Sequence, residues 1–386
     1  MENKANTPDP EGTNCPNYSF AQSISSYIKH IDALFEISPF IMELVIGKIT
    51  QESKLIGNFI KSIQLDNLNI QDDDEIQDAE IVEDNSEEKE STKNSGSEKE
   101  ATNSKKISIP LDEINKFIDL SDKVEASTLA YKYIPISIII SLVSQYDAYL
   151  NGLIRTIFHV KPEILNSSEK NIQFTELFAF KTINEAKEFI IEQEIESIMR
   201  ENHIKQLKWL ENKLKIKLRE GVPNLTHFVE LTERRNLFVH CNGVVTRQYL
   251  EVCRENNVAE MDHLKLGDIL DVKPDYLHKA YYTLFEIGVK LGHVIWRKLQ
   301  PEMIKDADDN LNEICYDLIN CGRYNLAITL LTFATETLKK HSDQEIVCIF
   351  NINKSLAYYL KGEKETALDM LNKMDWTATS VTSHLI

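Results

Sequence analysis

Glycine and proline are scarce in this chain, with 12 Gly and 10 Pro among 386 residues. A β-sandwich or β-barrel needs many tight turns, and Gly and Pro are among the residues that make them. Leu, Ile, Lys and Glu dominate instead, and that balance favours helices. The composition therefore predicts an all-α fold.

Cysteine pairs with metal-binding or redox spacing are missing. The chain has six Cys, and no two of them form a Cys-x-x-Cys motif. His159, His227 and His263 also lack the spacing of metal ligands. We therefore expect no cofactor, no structural metal and a reducing, cytoplasmic environment.

Long hydrophobic runs are also missing. The longest apolar runs, such as 134–143, contain Pro and Ser and are shorter than the ~20 residues that cross a bilayer. The first residues are polar and carry no signal peptide. We therefore expect a soluble protein without a membrane partner.

The negative charge is concentrated in one segment. Of the net charge of −18, residues 71–100 contribute 13 Asp and Glu against 3 Lys, or −10, which leaves −8 for the rest. A globally acidic protein is a poor non-specific coat for nucleic acid. One local basic run could form either a nucleic-acid groove or a solvated helix face beside Glu211 and Glu220. It comprises Lys205, Lys208, Lys213, Lys215, Lys217 and Arg219.

Changes in composition predict five segments along the chain. Two of them are too polar to offset chain entropy by burial and are predicted to be disordered. The acidic one is either a flexible linker or a phosphate mimic that occupies the basic groove. The segments are a disordered 1–18, N-terminal helices at 19–65, an acidic disordered linker at 66–107, a helical domain at 108–300 and a helical tail at 301–386.

Apolar residues recur at three- and four-residue steps through most of the chain, which predicts helices. Residues 19–65 are predicted to form one or two helices, with Ser38-Pro39 as a break or a new N-terminus. The resulting helical hairpin must bury its apolar stripe. Asn224 is predicted to cap the helix that follows it. In the helical domain the predicted helices are 111–129, 135–160, 174–180, 184–202, 203–219, one opening near 225, 246–255 and 276–299, with a short β segment near 269–272.

The tail contains an internal echo. Gly322-Arg323-Tyr324-Asn325-Leu326-Ala327 returns forty residues later as Gly362-Glu363-Lys364-Glu365-Thr366-Ala367. A small residue followed by Ala at the start of the second helix of a pair resembles tetratricopeptide-like units, although forty residues exceed their usual period. Such tails either bind a partner protein or simply cap the fold.

The segment 235–240 carries the residues with the clearest chemistry. It reads Arg-Asn-Leu-Phe-Val-His and lies at the end of an apolar-periodic stretch. Asn242-Gly243 then predicts the end of the helix, with Gly243 at positive φ. His240 therefore lies in the last turn, and Asn236 shares its face because the two are four residues apart.

These residue types suit metal-free cleavage of RNA. When a 2′-OH attacks the adjacent phosphate, a base takes the 2′ proton, an acid protonates the leaving 5′ oxygen and a cation stabilises the phosphorane. Imidazole exchanges a proton near neutral pH, and such transfer contributes roughly 10²–10⁴-fold to the rate. A guanidinium suits bidentate contact with phosphate.

The segment resembles the motif of the HEPN ribonuclease superfamily. In that motif a polar residue follows an Arg, and a His lies about five positions after the Arg. The resemblance covers about residues 130–300 and implies a HEPN-like bundle of four or five helices that pairs as a homodimer around one composite site. It implies Arg235, His240 and Asn236 as catalytic residues. Asp147, on the first long helix, is implied to orient His240 or Arg235, and Arg234 to support them.

Three functions remain open at this stage. The first is a metal-independent endoribonuclease of a bacterial toxin, abortive-infection or anti-phage system, with RNA as substrate and a protein trigger. The second is an inactive HEPN dimerisation scaffold whose tail binds a partner protein. The third is a toxin paired with a nucleotidyltransferase antitoxin, which is less favoured because Cys241-Asn242-Gly243 follows His240 where those toxins usually carry a Tyr. As structural alternatives, His240 is a favourable cap charge and Asp147 a surface residue.

Overall fold

The computed structural model describes residues 19–69, 109–167, 170–220, 222–259, 261 and 263–374. These residues are mostly helical, which confirms the all-α prediction, and their only β pairing is an isolated antiparallel bridge between Val244 and Ile269. The described parts of the chain form two compact units. The first comprises residues up to Pro39 together with those from Ile134, and the second is Phe40–Tyr133.

Twelve α-helices account for most of the described residues, in this order. They are α1 (Phe20–Asn69), α2 (Leu111–Val160), α3 (Phe174–Leu177), α4 (Ile183–Met199), α5 (His203–Leu214), α6 (Leu225–His240), α7 (Arg247–Glu255), α8 (Pro274–Leu299), α9 (Ile304–Asn320), α10 (Tyr324–Thr332), α11 (Gln344–Lys361) and α12 (Lys364–Lys373). The described residues also contain two short 3₁₀ turns and one π turn, at Pro162–Ser167, Pro301–Met303 and Phe333–Thr337 respectively.

The predicted N-terminal hairpin is wrong, because α1 continues through Pro39. Proline has no N–H for the carbonyl four residues earlier, and here that carbonyl belongs to Phe35. The hydroxyl of Ser38 donates to it instead, at 2.8 Å. Pro135 likewise lies inside α2 and does not open it. Residues 1–18 and 70–108 lie outside the described residues, so their predicted disorder and the proposed role of the acidic tract stay predictions.

The core of the first unit is built where α1, α2 and α8 meet. Tyr27 of α1 stacks on Tyr149 of α2, with ring centroids 4.3 Å apart. Both hydroxyls then donate to carbonyls of α8, Tyr27 to Leu284 at 2.8 Å and Tyr149 to Gly288 at 3.0 Å. A Cβ at Gly288 would overlap the ring of Tyr27, and one at Gly292 would overlap the Tyr149 hydroxyl. These glycines therefore allow the helices to approach closely.

The second unit pairs the later part of α1 with the earlier part of α2. Ser127 donates to the buried carboxylate of Glu52 at 2.7 Å. The predicted burial of the apolar stripe in the later part of α1 is wrong for much of its length, since five large side chains of that stripe are exposed. They are Phe40, Leu44, Ile46, Leu55 and Ile60. By length and composition, α2 is the one described helix that could cross a membrane, and a core helix passes the same test.

The two ends of α6 differ in how well the sequence predicts them. Its C-terminus follows the prediction: Gly243 has φ +78°, and its N–H donates to the carbonyl of Leu237 at 3.0 Å. At the other end, Asn224 makes no side-chain cap. Its amide donates instead to Glu286 of α8, at 2.6 Å. The predicted β segment near 269–272 is reduced to the bridge with Val244.

The tail forms two helical hairpins, α9 with α10 and α11 with α12, and the sequence echo marks their turns. Gly322 has φ +73° and Gly362 has φ +100°. Ala327 and Ala367, five residues after each glycine, are both buried. The predicted boundary at 300/301 falls inside the first compact unit, because Arg297 of α8 donates to Asp308 of α9 at 2.7 Å.

Candidate active site

A polar cleft of about 600 Å³ opens beside α6. Its walls come from α2, α5, α6 and α7 and from the end of α4 with the turn that follows it. Arg235 and Asn236, two of the three predicted catalytic residues, line it together with Asp147, the predicted supporting residue. Asp147 and Arg235 are 88 residues apart in the sequence. They meet because α2 and α6 share a core through Tyr146 and Phe228, whose ring centroids are 5.0 Å apart.

Asp147 holds two side chains at once. Nη2 of Arg235 donates to its Oδ2 at 2.6 Å, and Nε2 of His203 bonds to its Oδ1 at 2.8 Å. The Arg235 side chain is only 18% exposed, so this charge-assisted bond fixes the guanidinium firmly. Nε of Arg235 is buried without a hydrogen-bond partner among the described residues. The guanidinium therefore keeps donor capacity beyond the bond to Asp147.

His203 is a residue of this cleft that the sequence did not single out. It is the first residue of α5, and the side chain of Asn202 caps that helix by accepting from the N–H of Lys205 at 2.9 Å. Its ring packs at a right angle to Phe228, with centroids 5.6 Å apart. His203 and Asp147 are 56 residues apart, so no local spacing could have paired them.

Glu233 and Glu201 add two further carboxyls to the cleft, and Glu233 contacts the predicted site. Burial raises the pKa of Glu233, while a hydrogen bond with Asn236 and the nearby His203 and Arg235 act in the opposite direction, and the net shift is upward. Asn236 is thus in contact with a carboxyl that takes up a proton more readily than an ordinary Glu.

His240 lies outside the cleft lining and is exposed at the end of α6. It follows Asn236 by one helical turn on the same face, so their Cβ atoms are roughly 5–6 Å apart. Val239 beside it is 46% exposed. Asp147 was predicted to orient either His240 or Arg235, and it accepts a hydrogen bond from Arg235. The imidazole of His240 is accessible to another molecule from outside.

Arg234, predicted to support the motif, belongs to a different cluster. Its Nε donates to Glu230 at 2.6 Å, and its guanidinium lies 4.0 Å from the centre of the Tyr276 ring. The buried Glu230 also accepts from the hydroxyls of Tyr249 and Tyr276, each at 2.7 Å. The structure therefore places Arg234 in a cluster with Glu230, apart from Arg235, whose partner is Asp147.

The basic run before α6 is partly paired with carboxylates. α5 ends at Leu214, earlier than the predicted 219, and Lys215 follows at φ +55°. Three members of the run form ion pairs: Lys205 with Glu201, Lys217 with Glu220, and Arg219 with Glu211. These pairs match the alternative of a solvated face, although Lys205 also lines the cleft.

The described residues define an all-α protein with a guanidinium, a carboxylate and an imidazole assembled in one cleft. No protein-family model, curated protein or solved structure matches this chain. Within the described residues, no group of three or more His, Cys, Asp or Glu is arranged to hold a metal ion.

Proposed function

We propose that this protein is a HEPN-type endoribonuclease that cleaves RNA without a metal ion and acts as a homodimer. The proposal takes α2 to α8 as the HEPN-like bundle and α9 to α12 as a tetratricopeptide-like extension that receives a protein trigger. The observation that carries it is the placement of Arg235 and Asn236 in one polar cleft, with Arg235 held by Asp147.

In the proposed reaction, the 2′ oxygen of a ribose forms a bond to the adjacent phosphorus, and the bond from phosphorus to the 5′ oxygen breaks. A base removes the 2′ proton and an acid protonates the leaving 5′ oxygen. The products are a 2′,3′-cyclic phosphate and a 5′-OH. Arg235 stabilises the charge that builds on the phosphate oxygens, and Asn236 positions the substrate.

His240 supplies the proton transfer in this proposal. Each chain carries this imidazole once, so two protomers that meet at the ends of their α6 helices provide an acid and a base. The exposed positions of His240 and Val239 support such an approach. The biological setting we propose is a bacterial toxin or anti-phage defence system, in which uncontrolled cleavage of cellular RNA stops growth.

The direct test is cleavage of RNA by the purified full-length chain in the presence of EDTA, with the new ends sequenced as 5′-OH. Arg235→Ala and His240→Ala are each expected to lower cleavage at least 10²-fold while the dimer persists in sedimentation. The matched control is His30→Ala, which removes another exposed imidazole. Cleavage at the wild-type rate by the double variant would refute the proposal.

A second candidate function is a non-enzymatic scaffold that binds a partner protein through its tail. The observation that favours it is a set of large apolar side chains exposed on the two tail hairpins, namely Tyr316, Tyr359, Leu360 and Leu368. A wild-type chain that forms a stable complex with a partner protein and never cleaves RNA would support the scaffold over the nuclease.

A further inference from the structure

The cleft beside α6 holds an imidazole and a carboxyl that the proposed RNA cleavage does not use. They belong to His203 of α5 and Glu233 of α6, and both residues line the cleft together with Arg235. His203 is 7% exposed and Glu233 is 8% exposed. His240, which supplies the proton transfer in the proposed cleavage, lies outside the lining. The cleft therefore contains two proton-exchanging groups in addition to the predicted one.

One ring nitrogen of His203 is held by Asp147, and the other is accessible. Nε2 bonds to Oδ1 of Asp147 at 2.8 Å. A carboxylate only accepts hydrogen bonds, so this bond places the ring proton on Nε2 and the lone pair of the neutral ring on Nδ1. Nδ1 has no hydrogen-bond partner among the described residues, and it is not one of the unpartnered atoms that are closed to solvent. Because His203 lines the cleft, a water molecule there can reach Nδ1.

Asp147 brings this imidazole next to the cation that binds phosphate in the proposed site. Its Oδ2 accepts from Nη2 of Arg235 at 2.6 Å, while its Oδ1 bonds to His203. The guanidinium and the imidazole are therefore bound to the two oxygens of one carboxylate. A carboxylate that holds an imidazole in this way fixes its tautomer and the orientation of its ring. A phosphate group bound to Arg235 is consequently a neighbour of His203.

Glu233 is suited to donate a proton in the same cleft. Burial raises the pKa of its carboxyl, and the hydrogen bond with Asn236 and the nearby His203 and Arg235 offset only part of the rise. His203 and Arg235 are thus close enough to Glu233 to act on it electrostatically. A carboxyl that keeps its proton to higher pH can act as a general acid, and a neutral imidazole near it can act as a general base.

We propose that this cleft also hydrolyses a 2′,3′-cyclic phosphate to a 3′-phosphate, which rests on the proposed function because the cyclic phosphate is the product of that cleavage. The oxygen of a water molecule forms a bond to phosphorus, and the bond from phosphorus to the 2′ oxygen breaks. Nδ1 of His203 takes a proton from the water, and the carboxyl of Glu233 gives its proton to the leaving 2′ oxygen. Arg235 stabilises the charge on the phosphate oxygens. The imidazolium then releases its proton to solvent and Glu233 takes one up, so both groups return to their starting state.

The purified full-length chain can be tested without RNA, on the 2′,3′-cyclic phosphates of adenosine and cytidine in the presence of EDTA. Chromatography measures the 3′-monophosphate, which we expect wild type to form. His203→Gln and Glu233→Gln are each expected to slow its formation about 10²-fold or more, because an amide can keep a hydrogen bond but cannot exchange the proton. The matched control is His227→Gln, which removes a partly buried imidazole bonded to Thr283 outside the cleft and should hydrolyse like wild type.

The pH dependence of the wild-type rate gives a second readout that needs no variant to fold. A base and an acid acting together give a bell-shaped profile, and a rate independent of pH would refute the proposal. Wild type that cleaves RNA but leaves the cyclic nucleotides intact would refute the hydrolysis alone. Wild type that hydrolyses the cyclic nucleotides but never cleaves RNA would refute the nuclease and support this step. Hydrolysis by His203→Gln at the wild-type rate would also overturn the assignment.

Discussion

Arg234 and Arg235 are neighbours in the chain, yet they bind carboxylates on different sides of α6. Arg234 pairs with Glu230, which is buried in the same helix, and Arg235 pairs with Asp147 of α2. The first pair belongs to a mostly buried cluster with two tyrosines, and the second borders the polar cleft that holds Asn236. Loss of one pair should therefore act on stability, and loss of the other on activity.

Asp147→Asn is expected to lower the proposed RNA cleavage about tenfold, ~1.4 kcal/mol in transition-state stabilisation. The amide cannot hold the guanidinium of Arg235 with a charge-assisted bond, so the cation is less well positioned. The effect should fall on kcat more than on KM, as measured by initial rates at several RNA concentrations. Asp369→Asn, which breaks an exposed ion pair with Lys373, is the control and should cleave like wild type. Equal rates for both variants would mean that Asp147 does not position Arg235.

Glu230→Ala is expected to lower the free energy of unfolding by ~3–5 kcal/mol, because it leaves the mostly buried Arg234 without its counter-charge. Tyr249→Phe, which removes one donor to the same carboxylate, should cost ~1–2 kcal/mol. Urea denaturation followed by circular dichroism measures both. Glu251→Ala removes an exposed carboxylate from α7 and should stay within ~0.5 kcal/mol of wild type.

The sequence predicted the helices well and their interruptions poorly. Periodic apolar residues identified the helices of the candidate domain, because each helix buries one stripe. Proline alone could not show whether a helix ends, since the carbonyl freed by Pro39 is satisfied by the neighbouring Ser38 hydroxyl. Likewise, the amide of Asn224 serves a distant carboxylate, and a cap rule that considers only nearby residues cannot anticipate Glu286.

Gly288→Ala is expected to destabilise the protein by ~1–3 kcal/mol, although Ala is the better helix former. The added methyl group would overlap the ring of Tyr27, which is itself stacked on Tyr149. Gly152→Ala is the matched control, since a Cβ there meets no atom within 4 Å. It should stabilise α2 by ~0.5–1 kcal/mol. Changes of opposite sign in the free energy of unfolding, measured by urea denaturation, would separate the effect of packing from that of helix propensity. A stabilising Gly288→Ala would contradict the close approach of Tyr27 to Gly288.

Stability is expected to fall as the pH is lowered below about 6.5, partly because of His293. Burial and, to a lesser extent, the nearby Arg297 lower the pKa of His293 to about 3, against the opposing effect of Asp308. The unfolded chain takes up this proton first, so each pH unit below 6.5 costs ~1.4 kcal/mol. At pH 5 the loss is ~2 kcal/mol. Urea denaturation at pH 7, 6 and 5 measures it.

The matched variant for this pH effect is His293→Phe, which keeps a ring beside Trp296 and removes the titrating group. Its unfolding free energy should depend less on pH than that of wild type, by the same ~1.4 kcal/mol per unit. His30→Gln removes an exposed imidazole and serves as the control. Parallel pH curves for wild type and His293→Phe would show that His293 is not buried in its neutral form.

The candidate site was only partly accessible from the sequence. Arg235 and Asn236 stood out because local spacing on one helix brings chemical groups together. His203 did not, because its relevance depends on a contact with Asp147 of a helix that is distant in sequence. The raised pKa of Glu233 was also not accessible, because it is caused by burial in the folded protein. The same limit hid the difference between Arg234 and Arg235, since only the positions of Glu230 and Asp147 separate them.

Gly322 and Gly362 occupy equivalent turns forty residues apart, each followed by a buried alanine. Turn conformation, buried contact and length recur together, so this portion of the chain is modular. A tandem copy of forty residues would begin and end at a glycine turn of the same conformation. We therefore expect an inserted copy of forty residues to extend the two hairpins while α2, α5 and α6 keep their arrangement.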